Sequence, residues 1–107
     1  MRDKRYGILS LAMKAGAVAS GETAAEEAVR KGRACLVVLA EDASDNTKKK
    51  FHNRSKHYSV PCVVFGDKES LGRCIGKDQR SVLALTNASL AGTLEKEIRR
   101  NLVDGEN

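Results

Sequence analysis

Two histidines and three cysteines are the residues of this 107-residue chain whose types could hold a metal or attack a substrate, and their spacing argues against both roles. His52 and His57 stand five apart, which is not a same-face helical pair. No cysteine or acid accompanies them at ligand spacing, so they read as solvated surface residues. Cys35 and Cys62 fall inside apolar runs that read as strands, where a thiol is inert. Cys74 sits on a short helical stretch and is the one open to partial exposure. Odd in number, widely spaced and without a Cys-x-x-Cys pair, the three read as buried free thiols in a reducing compartment. Glu41-Asp42 places only two acids at a strand end, too few for a metal shell. No glycine-rich segment reads as a phosphate loop or a dinucleotide fingerprint. These residues predict no catalytic centre, no metal and no cofactor.

The remaining chemistry is that of binding. Lys and Arg total 19 against 14 acids, a net charge of +5, which implies a polyanionic partner. Lys48-Lys49-Lys50, extended by Arg54 and Lys56, forms a basic ridge that would attract phosphates without regard to sequence. Specific reading of RNA requires shaped loops. The most promising is Val18-Ala19-Ser20-Gly21-Glu22-Thr23, where a short apolar stretch meets the start of a helix. Ser20 is the expected N-cap, Gly21 lets another backbone come close, and the helix N-terminus offers free N–H groups to an anion. Ser44, Lys68 and the polar loop Lys77-Asp78-Gln79-Arg80 are the other candidates.

The elements that must position these loops alternate along the chain. Helical spacing of Ile8, Leu9, Leu11, Ala12 and Ala15 predicts a helix from Asp3 to Ala15, stopped by Gly16. After the brief strand Val18-Ala19, a second helix runs from Gly21 to Lys31 with Ala25, Ala28 and Val29 inward, and Gly32 ends it. The run 34–40 predicts a central strand buried on both faces. A polar helix follows, capped by Ser44 or Asp42 and reaching Tyr58, its inward stripe formed by Phe51 with Thr47, Ser55 and Tyr58. A shorter strand over 60–65 begins at Pro61, which suits a first residue or an edge. Gly66-Asp67 turns into a short helix through Leu71 to Ile75, stopped by Gly76. Val82-Leu83-Ala84-Leu85 is a further buried strand, and Thr86 or Asn87 caps the last helix, with Leu90, Leu94 and Ile98 on one side. The expected architecture is an α/β fold: one domain over residues 1–107, a three-layer α/β/α sandwich around a small mixed sheet, with a frayed tail at 103–107. No segment approaches the length of a membrane span and no signal peptide is legible, so a cytoplasmic monomer is expected.

Several strings together resemble the L-seven-Ae/L-thirty-e ribosomal protein family. They are Gly21 opening a helix, Ala28-Val29-Arg30-Lys31-Gly32, Leu39-Ala40-Glu41-Asp42-Ala43, Val60-Pro61-Cys62-Val63 and Lys68-Glu69-Ser70-Leu71-Gly72-Arg73-Cys74-Ile75-Gly76. The match runs from about Tyr6 to Leu102, and 44–50 look most like the bacterial YlxQ-type branch. The resemblance implies a sandwich that binds structured RNA, with ribosomal RNA and ribosomal proteins as partners. Many relatives bind kink-turns, in which a bulge bends a helix beside sheared G·A pairs. By that likeness Ser20, Gly21, Glu22 and Thr23 enter the distorted groove. A flipped base is held near Ser44 and by Lys68, and the loop 76–81, with Lys77, Gln79 and Arg80, closes over the bulge. Lys48 adds phosphate attraction. Three positions depart from the kink-turn pattern, where Thr23, Ala24 and Glu27 replace Asn, Glu and Lys. The alternative functions are a protein-interaction module within a ribonucleoprotein complex, for which Glu26 and Glu27 would face a basic partner, and an enzyme or its substrate-recognition fragment.

Overall fold

The computed structural model describes residues 3–105, with side chains from Asp3 to Arg100. Helix α1 spans Lys4–Lys14, strand β1 Val18–Ser20, α2 Glu22–Arg30, β2 Leu36–Leu39 and α3 Asp45–His57. Strand β3 follows at Cys62–Val64, α4 at Lys68–Cys74, β4 at Val82–Leu85 and α5 at Ala88–Gly105. The frayed tail expected at 103–107 overlaps the end of α5, and its last two residues lie outside the described ones.

The sheet order is β1-β4-β2-β3. β2 pairs in parallel with β3, and β4 is antiparallel to both β1 and β2, so the sheet is mixed as expected. Alternation along β2 divides the core. Leu36 and Val38 face α1, α4 and α5, with Ile8, Leu9, Ala12, Leu71, Leu94 and Ile98. Val37 and Leu39 face α2 and α3, with Ala25, Ala28, Val29 and Phe51. Two-sided burial explains why β2 and β4 are apolar throughout.

Polar side chains start the helices. Asp3 accepts from the Arg5 N–H at 3.0 Å, Ser44 from the Thr47 N–H at 3.1 Å, Asp67 from the Ser70 N–H at 2.7 Å and Asn87 from the Leu90 N–H at 2.9 Å. Asp42, the alternative cap for the third helix, instead accepts from the Lys68 N–H at 2.8 Å and joins two loops.

Three inward positions expected from the sequence differ. Leu11 is 55% exposed because it lies round α1 from the stripe formed by Ile8, Leu9 and Ala12, and Ala15 is exposed because the helix ends at Lys14 and leaves it at the C-cap. Tyr58, at the C-cap of α3, is 38% exposed; Phe51, Thr47 and Ser55 are the buried members of that stripe.

Phe51 is fully buried and is the one aromatic side chain in the α2/α3 cluster. Replacing it with alanine is expected to destabilise the fold by about 3–5 kcal/mol, measured by urea unfolding. Acid should also weaken the protein. Asp3 is held below its ordinary value by hydrogen bonding to Arg5, Glu26 by Lys50, and Asp67 by the Ser70 N–H. Their folded forms release protons more readily than the unfolded chain does. The stability they contribute is therefore complete near neutral pH and is lost as pH falls below about 4. Melting temperature should hold from pH 7 to pH 5 and then drop, with a shallower drop in Asp67→Asn.

Candidate functional site

The sheet topology gathers the candidate loops at one end. The C-terminal ends of β1, β2 and β3 and the N-terminal end of β4 share one rim, since Ser20 pairs with Leu83, and Leu39 with both Val82 and Val64. Backbone bonds tie the loops together there. The Gly21 N–H donates to the Val82 carbonyl at 3.0 Å, Ala40 to Ser81 at 2.9 Å, Glu41 to Gly66 at 2.7 Å and Arg80 to Lys68 at 3.0 Å.

The turn from β1 into α2 is made by Gly21, with φ 94° and ψ 168°, a conformation open to glycine and strained for any residue with a Cβ. The expected N-cap, Ser20, is not the cap. Pairing with Leu83 keeps Ser20 in the strand, Gly21 takes the cap position, and no side chain caps the helix. The first-turn N–H groups are thus left without a side-chain partner, at the positive end of a helix dipole. The Ser20 hydroxyl instead accepts from Arg80 Nε at 2.7 Å, while Arg80 Nη1 donates to the Gln79 carbonyl at 2.9 Å.

Between the start of α2 and this loop lies an open cleft of about 700 Å³, lined by Ser20, Gly21, Glu22, Thr23, Ala24, Glu27, Gln79, Arg80 and Ser81. Six of the ten candidate residues therefore come together: Ser20, Gly21, Glu22, Thr23, Gln79 and Arg80. The other four stand outside its lining. Ser44 caps α3 and donates to the Thr47 hydroxyl at 3.0 Å. Lys48 Nζ turns back to the Glu41 carbonyl at 2.6 Å. Lys68 is clamped through its backbone between Asp42 and Arg80, and Lys77 is exposed on the loop.

Sequence reasoning missed two supporting residues. Thr47 donates to the Glu22 carboxylate at 3.3 Å, linking the cleft to the cap of α3; its Ser-x-x-Thr spacing from Ser44 was the available signal. Gly72, inside α4, is fully enclosed by the 77–80 loop, and a Cβ there would lie 1.8 Å from the Asp78 carbonyl oxygen. A glycine in the interior of a short helix was the available sign of close backbone approach.

The charges differ from the simple ridge expected. Glu26 holds Lys50 at 3.0 Å and Arg54 at 3.1 Å, while Lys49 and Lys56 are exposed without an ion pair among the described residues. Glu27 faces Lys31 at 3.7 Å and Arg33 at 3.4 Å. Neither carboxylate is offered unpaired to a basic partner, and Glu27 does not confront an anion as a bare charge.

Nucleophilic chemistry finds no support in the thiols. Burial raises the Cys62 thiol and pushes Cys74 up to about 11, so both stay protonated at neutral pH. Cys35 lies just before β2, half-buried, rather than inside the strand. Among the described residues no group of three metal-ligating side chains occurs, and no helix is long and apolar enough to cross a membrane.

Gly72→Ala is expected to push the 77–80 loop outward and pull Arg80 from Ser20, at a cost of roughly 1–3 kcal/mol. Thermal melts would measure the cost, and amide chemical shifts at 20–23 and 77–81 would report the displacement.

A model of the ribosomal protein L7Ae/L30e/S12e/Gadd45 family matches residues 3–94. The RNA-binding protein YlxQ of Bacillus subtilis (strain 168) is 42% identical over 89 residues, covering 83% of this chain and 89% of that protein. The RNA-binding protein YlxQ of Enterococcus faecium is 37% identical over 79 residues, covering 74% and 77%. A solved structure of a protein of unknown function from Bacillus halodurans C superposes with a TM-score of 0.89 at 35% identity, over 92% of this chain and 99% of that one. The Giardia lamblia 15.5kD RNA binding protein superposes with a TM-score of 0.70 at 22% identity, over 91% and 92%, a likeness of fold.

Proposed function

From the premise that the chain belongs to the ribosomal protein L7Ae/L30e/S12e/Gadd45 family, we propose that it is a non-enzymatic RNA-binding protein whose specific contact is the cleft between the start of α2 and the 77–81 loop. The observation that carries this reading is Arg80 held against Ser20 beside an uncapped helix start. A fixed guanidinium and a set of outward N–H groups on one rim suit a phosphate backbone bent sharply enough to meet both. Space beside Gly21 supports a close approach, since nothing lies within 4 Å of where a Cβ would be.

Kink-turn-like RNA of the translation machinery, met in the cytoplasm, is the proposed ligand. Thr23 supplies one hydrogen-bonding hydroxyl where relatives use an amide. Glu27 is compensated by Lys31 and Arg33, so its reversed charge costs less than the sequence implies. Ser44 and Lys68, on the same rim, are the proposed holders of an unstacked base, with Lys48 and Lys77 adding charge nearby. The relatives named as RNA-binding proteins support the ligand class.

Binding of a kink-turn RNA and of a matched straight duplex across a salt series tests the proposal. The kink-turn should bind at least tenfold tighter. Arg80→Ala should weaken it about tenfold and flatten the log–log salt slope by roughly 0.9, as expected for one lost phosphate contact. Equal affinity for both RNAs, or no effect of Arg80→Ala, would refute the cleft as the specific site.

A further inference from the structure

Helices α2 and α3 lie side by side and run in the same direction. At the cleft Glu22 accepts from Thr47; one turn later Glu26 holds Lys50 and Arg54. The seam between the helices therefore leads from the cleft toward the C-terminal end of α3. There Lys50, Asn53, Arg54, His57 and Tyr58 line a second hollow of about 450 Å³. Their spacing of three, four, seven and eight puts all five on one helix face.

This hollow has a surplus of positive charge and an available ring. Glu26 is one carboxylate in the field of three cations, Lys50, Arg54 and Arg30, and all three lower its pKa. It positions Lys50 and Arg54 without cancelling the group. Arg54 meets Glu26 as an ion pair through one amino group, and a guanidinium carries five N–H donors, so others remain for a ligand. The negative end of α3 is offset by Arg54 and Lys56 in its last turn. Tyr58 is 38% exposed and meets His57 edge to face, with centroids 4.8 Å apart and planes at 85°. A T-shaped pair covers at most one face of either ring. Ser59, with φ 58°, is the one non-glycine residue of positive φ among the described residues, and it turns the chain away directly after Tyr58. Duplex phosphates would use the cations and leave the ring idle. An acidic protein segment would do the same. A single strand uses both, with its backbone on the cations and a base on the ring.

We propose that the C-terminal half of α3 is a second RNA station, at which a single-stranded segment leaving the cleft stacks a base on Tyr58 and sets its phosphates against Lys50 and Arg54. The proposal rests on the RNA-binding reading but not on the cleft being the specific site. Thr47 and Tyr58 are eleven residues apart on or beside one helix, roughly 16 Å at the α-helical rise, so a six-nucleotide extension spans the seam.

The test uses the full chain and three probes: a blunt kink-turn RNA, the same RNA with a six-uridine extension on either end, and hexauridylate alone. One extension should tighten binding about tenfold over the blunt RNA. Tyr58→Ala should abolish that gain, and Tyr58→Phe, which keeps the ring, should retain it. The chain has two tyrosines and no tryptophan, so tyrosine emission offers a direct signal. Extended RNA and hexauridylate should quench it, and the quenching should vanish in Tyr58→Phe, where only Tyr6 remains. A gain that survives Tyr58→Ala, the absence of any gain, or equal quenching by polyglutamate would overturn the proposal. If the blunt RNA fails to bind while hexauridylate still quenches Tyr58, the cleft reading fails and this one stands.

Discussion

β4 is hydrogen-bonded on both sides, antiparallel to β1 and to β2, and the rest of the rim depends on that insertion. A strand entering a sheet in the direction opposite to its neighbours brings its preceding loop to their C-terminal ends. The 77–81 loop thereby meets the β1–α2 turn, and Arg80 reaches Ser20 across 60 positions of sequence. Had β4 run the other way, the same residues would lie at opposite ends of the sheet. The flanking backbone bonds, Gly21 to Val82 and Ala40 to Ser81, then fix the loops to within a hydrogen bond of one another. The cleft is therefore a product of strand direction first and of side-chain identity second.

Charge is arranged for placement more than for stability. Glu26, Glu27, Glu69 and Glu95 each pair with a basic residue, mostly in exposed geometry. Such pairs contribute little to folding free energy individually. Among the described residues they engage particular cations and leave others, such as Lys49 and Lys56, without an ion pair. Cations are thus positioned along the α2/α3 seam and, at the rim, by Arg80 on Ser20 and Lys48 on the Glu41 carbonyl. Buried apolar surface on both faces of the sheet carries the stability, and the Ala-rich inner face of α2 brings that helix close to the strands.

Much of this fold is legible in the sequence because its physics is local. Unbroken apolar runs mark β2 and β4, helical spacing marks α2, and Gly16, Gly32 and Gly76 sit at helix ends with positive φ. Non-local facts escape. Ser20 has the chemistry of a cap, yet strand pairing holds it in β1, and the cap falls to Gly21. Leu11 has an apolar side chain, but only the packed neighbours of α1 decide that it faces outward. The candidate loops were all identifiable as loops; that six of the ten residues share one cleft follows from strand direction, which residue patterns do not encode. Glu26 and Glu27 were visible as acids, while their partners on α3 and after α2 were not.

The outer strands of the sheet, β1 and β3, are three residues long each, and Pro61 precedes β3. An exposed sheet edge is a template on which a second chain can add a strand. The outward-facing backbone groups are those of Val18 and Ser20 on β1 and of Cys62 and Val64 on β3, while the Pro61 carbonyl accepts from the Val37 N–H on the inner side. Strands this short give a second chain little backbone to pair with.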